Sequence, residues 1–334
     1  MGRVVLVTGV SRDLGGRFAR ELSSAPGVDR VIGVDVLPPR RDLGSVSFVR
    51  ADIRNPVIAK VIAGQDVDTV VHMSVEAVSG RGARAASAAM KEHNVIGSMQ
   101  LLAACQRAPG LERLVVKSST AVYGASPRDP AMFTEDMAAK RMPRSGFAKD
   151  MLEVEGYVRG FSRRRPEVTV TMIRAANCVG ATVETPLTAY FRLPVLPKPL
   201  GFDARLQFVH EDDLLAAVRH ATLAGVHGTF NLAGSGVLLL SQAIRRLGRP
   251  VLPVPGFALD PMGSVLTQVG LAGISPDLVG LLTYGRGVDT TRAREVLGFE
   301  PKHTSATAFA DFAASVPPGS VPDPIAALVG GGRG

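Results

Sequence analysis

The sequence predicts an α/β protein built on a doubly wound parallel sheet, with a smaller lobe near the C-terminus. Two observations predict this fold class. Short apolar runs alternate with segments of helical periodicity from the first residues to about Arg174, which is typical of parallel strands covered by helices on both faces. After Cys178 the alternation stops and a proline-rich passage begins at Pro194. We therefore expect a second structural unit beyond this point.

The predicted strands are short runs rich in β-branched residues, at residues 4–7, 31–34, 47–49, 69–72, 114–117 and 169–173. The predicted helices between them cover residues 16–22, 57–62, 85–105 and 146–160. Each strand–helix–strand unit is expected to cross over in the right-handed sense. Successive units then build the two halves of one parallel sheet. We assign residues 1–178 to this sheet domain, with residues 206–232 returning to it.

The lobe is predicted to comprise residues 179–205 and 233–315. In the second half of the chain we expect a strand at residues 229–232 and helices at residues 213–221, 241–247 and 290–297. Proline and glycine dominate from residue 316 onward, and such a composition cannot bury enough apolar surface to order itself. Residues 316–334 are therefore predicted to form a disordered tail.

Composition excludes several classes of protein. The longest apolar stretches end well short of the roughly 20 residues that span a bilayer, and no signal-peptide pattern precedes the first strand, so we expect a cytoplasmic protein. The formal net charge is +8, but the 38 basic residues are spread along the chain and form no nucleic-acid-binding stripe. Cys105 and Cys178 are too few for a disulfide framework or a metal site. We therefore expect no membrane, nucleic-acid or metal partner.

A glycine-containing turn links the first strand to the first helix. Gly9 permits a tight turn, and Gly15 permits close packing of the helix on the sheet. The helix start then offers free backbone amides and a positive dipole to a pyrophosphate. This context predicts a dinucleotide-binding Rossmann domain, with cofactor contacts from Gly9, Arg12, Asp13, Leu14 and Gly15.

Two residues of this cofactor site leave alternatives open. Arg12 stands where glycine usually lets the backbone approach the phosphates; its guanidinium could bind them, or its bulk could fill their space. Asp35 ends the second strand, where a carboxylate accepts from a ribose hydroxyl and repels a 2′-phosphate, which favours NAD over NADP. Arg40 and Arg41 are the alternative partners for such a phosphate.

Further motifs extend along most of the chain: Asp52-Ile53, Val70-Val71-His72, Asn94-Val95-Ile96-Gly97, Ser118-Ser119-Thr120-Ala121-Val122-Tyr123-Gly124, Arg174-Ala175-Ala176-Asn177 and Phe230-Asn231-Leu232. With the glycine turn, they resemble the extended short-chain dehydrogenase/reductase family, the NAD-dependent epimerases and dehydratases of nucleotide sugars. The chain is similar, more narrowly, to actinobacterial proteins of the UDP-glucose 4-epimerase-like type. The resemblance implies NAD as cofactor, with Asp52 and Ile53 bordering the adenine and with Met73, Asn94 and Lys149 as further contacts.

The same resemblance implies a catalytic set of a serine or threonine, a tyrosine, and a lysine four residues after the tyrosine. Ser119 matches the first member and Lys149 the last, but Ser145 occupies the tyrosine position. A serine hydroxyl is a much weaker acid than a phenol and needs its own base. The alternative for Lys149 is that it is an ordinary solvent-exposed residue of a helix.

Among the four tyrosines, Tyr123 and Tyr190 are the candidate substitutes for the missing phenol. Tyr123, which we also assign to the substrate site, has the alternative of packing behind Ser119. Dehydration by the family's route is disfavoured, because Thr120-Ala121 stands where dehydratases carry an acidic pair.

On the substrate side, the resemblance implies that Asn177 and Arg205 face a nucleotide diphosphate, with Arg286 as a further cation. The first hypothesis is an NAD-dependent epimerase or oxidoreductase of a nucleotide sugar or similar polar alcohol, with an atypical Ser-Ser-Lys site. The alternative is a catalytically silent NAD-binding regulatory or scaffold protein. The resemblance also implies a homodimer formed through the helices at residues 85–105 and 146–160.

Overall fold

The computed structural model describes residues 2–75, 77, 88–143, 146–255 and 275–317. Parts of several predictions lie outside these residues: the catalytic position Ser145, the start of the helix predicted at 85–105, residues 256–274 of the predicted lobe, and the tail from residue 318.

Thirteen strands are present in the described residues: β1 Arg3–Thr8, β2 Val28–Asp35, β3 Ser47–Arg50, β4 Thr69–His72, β5 Arg113–Ser119, β6 Thr169–Ala175, β7 Asn177–Val179, β8 Leu196–Pro199, β9 Arg205–Leu206, β10 Phe208–His210, β11 Gly228–Leu232, β12 Leu238–Leu239 and β13 Val251–Val254. The α-helices with defined bounds are α1 Asp13–Leu22, α2 Val57–Gly64, α3 Gly97–Gln106, α4 Gly146–Arg164, α5 Pro186–Phe191, α6 Glu211–Ala224, α7 Leu240–Leu247, α8 Pro276–Tyr284 and α9 Ser305–Ser315.

Seven of these strands form one parallel sheet in the order β11-β6-β5-β4-β1-β2-β3. The order reverses direction between β1 and β4, and ligands of open α/β sheets bind at such a switch point, outside the carboxyl ends of the strands. Those ends bring Thr8, Asp35, His72 and Ser119 to the same edge. The predicted Rossmann-like α/β fold is confirmed.

Two apolar clusters cover the two faces of this sheet. Neighbouring residues of β1 point to opposite faces, as in any strand: Leu6 packs in the cluster that contains Leu101 of α3 and Val154 of α4. Val5 packs in the cluster that contains Phe18 of α1 and residues of α6. This alternation explains why the buried central strands are apolar on both sides.

A third apolar cluster contains the aromatic rings of Phe191, Phe309 and Phe312 from the predicted lobe. It also contains Phe208, which lies in the stretch that was predicted to return to the sheet domain. The lobe helices α5, α8 and α9 are not among those predicted from the sequence. Val316 is also buried in this cluster, so ordered packing reaches into the stretch that was predicted to be a tail.

A π-helical turn, Glu92–Ile96, interrupts the helix predicted at residues 85–105 and leads directly into α3. Within the described part of the chain, no helix combines the length and the apolar character needed to cross a membrane.

Candidate active site at the carboxyl edge of the sheet

The turn between β1 and α1 has room only for glycine at two positions. Gly9 has a φ of +84°, and a Cβ there would lie 2.9 Å from the Cα of Ser74. A Cβ on Gly15 would overlap the carbonyl oxygen of Gly9 and lie 2.8 Å from its carbonyl carbon. The turn is therefore folded closely onto the start of α1, as a pyrophosphate-binding turn requires.

Arg12 stands immediately before α1 with φ −88° and ψ 153°, an extended conformation that any residue adopts. Its carbonyl oxygen accepts from Gly16 N at 2.8 Å, so arginine is compatible with the backbone of the turn. The side chain is exposed.

The carboxylate of Asp35 lies against the glycine turn. One oxygen accepts from Ser11 N at 3.0 Å and the other from Val36 N at 2.7 Å. Arg41, the alternative partner for a 2′-phosphate, has its Nε 2.8 Å from the Oδ1 of Asp13 in the first turn of α1. The fixed Asp35 carboxylate retains lone pairs that can accept from a ribose hydroxyl.

The residues predicted at the adenine lie after β3. Ile53 is buried, and a Cβ on Gly97 would come within 2.8 Å of its Cδ1. Asp52 forms an ion pair with Arg54 (2.6 Å), and the hydrogen bond from Arg54 lowers the pKa of the Asp52 carboxyl.

At the end of β4, Met73 is buried and its backbone N donates to the Thr8 hydroxyl at 3.2 Å. His72 links three elements: its Nδ1 lies 2.8 Å from the Thr8 Oγ1 and its Nε2 lies 2.8 Å from the Ser98 Oγ. Burial lowers the pKa of His72 to about 3, so the ring is neutral. The sequence motif that contains His72 did not predict this linking role.

Ser119 ends β5 and begins the 3₁₀ turn Thr120–Tyr123, with its Oγ accepting from Ala121 N at 3.1 Å. Tyr123 is only 1% exposed and stacks on Phe133. Its hydroxyl donates to the Asn231 Oδ1 at 2.8 Å and accepts from the Arg174 Nη1 at 2.8 Å. This geometry does not support the predicted substrate contact of Tyr123 and favours packing behind Ser119.

Tyr190, the other candidate for the missing phenol, is buried in the lobe and its hydroxyl donates to the Pro197 carbonyl at 2.9 Å. Burial raises the pKa of both the Tyr123 and the Tyr190 phenols. Neither hydroxyl is poised to exchange a proton with a substrate.

A buried charge network supports the Ser119 turn from behind. Glu155 of α4 is wholly buried. It accepts from Arg174 Nε at 2.9 Å and Nη2 at 2.7 Å, and from the Ser118 hydroxyl at 2.7 Å. The sequence marks Arg174 only as part of a motif, and no sequence pattern singles out Glu155.

Lys149 lies in the first turn of α4, with its Nζ 3.7 Å from the Glu153 Oε1. Its partly exposed ammonium group therefore has a nearby counter-ion while remaining accessible. Ser145 lies outside the described residues.

Asp150, the next residue, is buried against Asn94 of the π-helical turn, which is also buried. The side chain of Asn94 forms a hydrogen bond to the Asp150 carboxyl. Burial, followed by the charge of Glu153, raises the pKa of Asp150 to about 6. No sequence pattern singles out Asp150, because an aspartate next to a lysine on a helix is usually solvated.

On the lobe side, the predicted substrate residues are engaged by backbone groups. Asn177 Nδ2 donates to the Gln207 carbonyl at 3.1 Å. Arg205 is exposed, and its backbone oxygen accepts from Arg286 N at 2.9 Å. Arg286 Nε donates to the Gly124 carbonyl at 2.7 Å, and burial lowers the pKa of its guanidinium to about 10. Arg205 and Arg286 are therefore neighbours. Arg286 also donates a hydrogen bond to Gly124, at the end of the 3₁₀ turn that Ser119 begins.

The sequence profile of the NAD dependent epimerase/dehydratase family matches residues 5–233, which contain the glycine turn, Ser119 and Lys149. The chain belongs to this family. The predicted resemblance is thus confirmed, and NAD is the cofactor of this epimerase/dehydratase family, as predicted.

Several known proteins are similar to this family member. An uncharacterised protein of Mycobacterium tuberculosis is 48% identical over 314 residues, covering 93% of this chain and 83% of the relative. UDP-glucose 4-epimerase 2 of Oryza sativa is 30% identical over 193 residues, covering 54% of this chain and 45% of the relative.

Two solved structures share the fold. DesIV, a dTDP-glucose 4,6-dehydratase from Streptomyces venezuelae with NAD and TYD bound, has a TM-score of 0.72 at 24% identity, covering 93% of this chain and 96% of that one. UDP-glucose 4-epimerase of Thermotoga maritima with UDP-glucose has a TM-score of 0.69 at 19% identity, covering 93% and 98%. At these identities the likeness establishes the fold of the epimerase/dehydratase family alone.

Proposed function

We propose that this protein is an NAD-dependent epimerase or oxidoreductase that acts on a nucleotide sugar or a similar polar alcohol. The observation that carries the proposal is the convergence of the glycine turn, Asp35 and Ser119 at the carboxyl edge of one sheet, beside its switch point. The NAD bound in DesIV, a dTDP-glucose 4,6-dehydratase, supports the same cofactor and a nucleotide-sugar substrate for this chain.

The residues present fit NAD. The close turn of Gly9 and Gly15 leaves the start of α1 open to a pyrophosphate, Asp35 accepts from the adenosine ribose, and Asp52 with Ile53 borders the adenine. Lys149, whose ammonium group is partly exposed, serves the nicotinamide end. When bound, NAD supplies the acceptor for a hydride from the substrate carbinol.

The chain's own residues then position the substrate. Ser119 offers a hydroxyl that can bond to the reacting sugar hydroxyl, while Asn177 and Arg205 bind the diphosphate. Arg205 is suited to a phosphate because its guanidinium presents paired donors in one plane. Arg286 is less available, since it already donates to Gly124.

The experiment that tests this function follows the absorbance of reduced nicotinamide. The purified protein is loaded with NAD and mixed separately with UDP-glucose, dTDP-glucose and UDP-glucuronic acid, and each sugar is analysed for the epimer. We expect reduced cofactor or an epimerised sugar with at least one of the three. Bound NAD without either product would favour the silent NAD-binding regulator, which the serine at position 145 and the burial of Tyr123 support.

Substituting Ser145 with tyrosine is expected to raise the rate of hydride exchange by up to about 10²-fold, the lower end of general acid–base catalysis. A phenol four residues before Lys149 would have its pKa lowered by the ammonium group. Ser145→Phe is the matched control, because it adds the ring without the hydroxyl. Equal rates for the tyrosine and phenylalanine variants would contradict this prediction.

The proposed homodimer forms through the outer faces of α3 and α4. Tyr157 on α4 is 38% exposed, and a hollow of about 340 Å³ beside it is lined by Met99, Leu102, Ala103, Gln106, Arg107 and Arg164. We expect light scattering to give twice the mass of one chain, and the double variant Met99→Glu/Tyr157→Glu to give a monomer. A monomeric wild-type protein would exclude this assembly.

A further inference from the structure

The lobe contributes one carboxylate to the start of the helix that carries Lys149. Asp277, the second residue of α8, accepts from Ala148 N at 3.2 Å. A Cβ added to Gly146 would lie 2.6 Å from the same carboxylate oxygen, Oδ2. Ala148 immediately precedes Lys149, and Gly146 immediately follows the position where the family has its tyrosine. The Asp277 carboxylate therefore contacts the first turn of α4 from a neighbouring element, α8.

The same helix, α8, also lies against the segment that follows Ser119. A Cβ on Gly280 would be 3.5 Å from the Cβ of Ala125, and Arg286, just beyond α8, donates to the Gly124 carbonyl. Both contacts are made to residues directly after the 3₁₀ turn that Ser119 begins. Asp277 thus belongs to the element that packs on both segments presenting Ser119 and Lys149.

Oxidation of a carbinol requires an acceptor for the hydroxyl proton, and the four tyrosines are poor candidates. Tyr123 and Tyr190 are buried and hydrogen-bonded, and Tyr157 lies beside the hollow between α3 and α4. Tyr284 contacts Phe202 edge-on. It also lies seven residues from Asp277 along α8, about 10 Å at 1.5 Å per residue.

Two carboxyl groups close to Lys149 on α4 already have partners. Glu153 is paired with Lys149, and Asp150 is buried against Asn94. Asp277 is only half-buried, and its bond to a backbone amide leaves further lone pairs for a substrate hydroxyl.

We propose that Asp277 is the proton acceptor that takes the place of the missing phenol, an inference that rests on the proposed function. As the carbinol carbon of the sugar loses a hydride to NAD⁺, its hydroxyl proton passes to the Asp277 carboxylate. The products are a ketone, NADH and a carboxylic acid. Return of the hydride to either face of the ketone, with return of the proton to its oxygen, regenerates an alcohol, NAD⁺ and the carboxylate.

The surroundings of Asp277 suit this role. Burial raises the pKa of its carboxyl, while the hydrogen bond from Ala148 N and the charge of Arg286 act in the opposite direction. Asp150 on α4 also interacts with it electrostatically, and Asp129 faces Arg286. A carboxylate with a raised pKa is a stronger base, so the rate should fall as the pH is lowered through that pKa and Asp277 becomes protonated.

The test compares wild type with Asp277→Asn, whose side-chain oxygen can still accept from Ala148 N. Both proteins are loaded with NAD and mixed with UDP-glucose, dTDP-glucose or UDP-glucuronic acid. We expect unchanged NAD affinity and melting temperature, a rate reduced by about 10²- to 10⁴-fold, and loss of the acidic limb of the pH profile. The double variant Asp277→Asn/Ser145→Tyr should recover at least a tenth of the wild-type rate.

Asp203→Asn is the matched control, because Asp203 likewise accepts from a backbone amide at a helix start, Ser241 N of α7, and should leave the rate unchanged. A wild-type rate in Asp277→Asn overturns this inference and leaves the proposed function intact. A slower rate that is explained by weaker NAD binding or by a lower melting temperature also overturns it, since the carboxylate would then have a structural role only. Bound NAD with no hydride exchange in wild type overturns both proposals.

Discussion

Replacing Gly15 with alanine is expected to weaken NAD binding by at least about 10²-fold and to lower the free energy of unfolding by about 1–3 kcal/mol. The added Cβ would overlap the Gly9 carbonyl. Because the backbone fixes the position of the Cβ and the other partner is a backbone carbonyl, no side-chain rotation can relieve the clash. The start of α1 must therefore move away from β1, and the amides that face the pyrophosphate move with it. Calorimetric titration and thermal denaturation measure the two effects.

Gly156→Ala is the matched control for this substitution. Gly156 lies in the exposed interior of α4, where a Cβ would meet no atom within 4 Å. Alanine is favoured over glycine at such a position by up to about 1 kcal/mol, so this variant should be slightly more stable and should bind NAD normally. If Gly15→Ala behaved like Gly156→Ala, the close approach of α1 to the turn would have no part in cofactor binding.

Replacing Arg174 with methionine is expected to destabilise the fold by about 3–5 kcal/mol. The substitution leaves the Glu155 carboxylate wholly buried without its main partner, and it removes the donor to the Tyr123 hydroxyl. Since Ser118 also bonds to Glu155, we expect the Ser119 turn to lose its alignment. Chemical denaturation measures the stability, and the rate of hydride exchange reports on the turn.

Arg159→Met provides a control on the same carboxylate. Arg159 Nη1 lies 3.1 Å from the Glu155 Oε2, but its side chain is 52% exposed, and exposed pairs of this kind contribute about 0.3–0.5 kcal/mol. A small effect here and a large one at Arg174 would show that burial, rather than pairing itself, sets the energy. Similar losses in both variants would contradict this role of burial in the network.

The parts of the fold that could be predicted from sequence depend on local patterns. Strands β1 to β6 follow from short apolar runs, and the glycine turn follows from sterics between residues six positions apart. The lobe helices α8 and α9 escaped prediction, because their short apolar faces pack against elements distant in sequence. The division of the chain into domains at residues 178 and 206–232 stays a prediction.

The candidate site divides in the same way. Asp35 follows from its place at a strand end, whereas Ser119 and Lys149 follow from the resemblance to the family, and their roles in the site stay predictions. Glu155, Asp150 and Asp277 could not be found, because a carboxylate on a helix is usually solvated and only the packing of other elements buries it. Tyr123 shows which of two alternatives the packing selects: its hydroxyl is hydrogen-bonded to Asn231 and Arg174 in the core and does not face a substrate.

Calorimetric titration of the purified protein with NAD tests the central claim most directly, with Gly15→Ala measured in parallel. We predict saturable binding of one NAD per chain by wild type, and binding weakened at least about 10²-fold in the variant because the turn can no longer close on α1. Absence of binding by wild type, or equal affinity in the two proteins, would contradict a cofactor site at the carboxyl edge of this sheet.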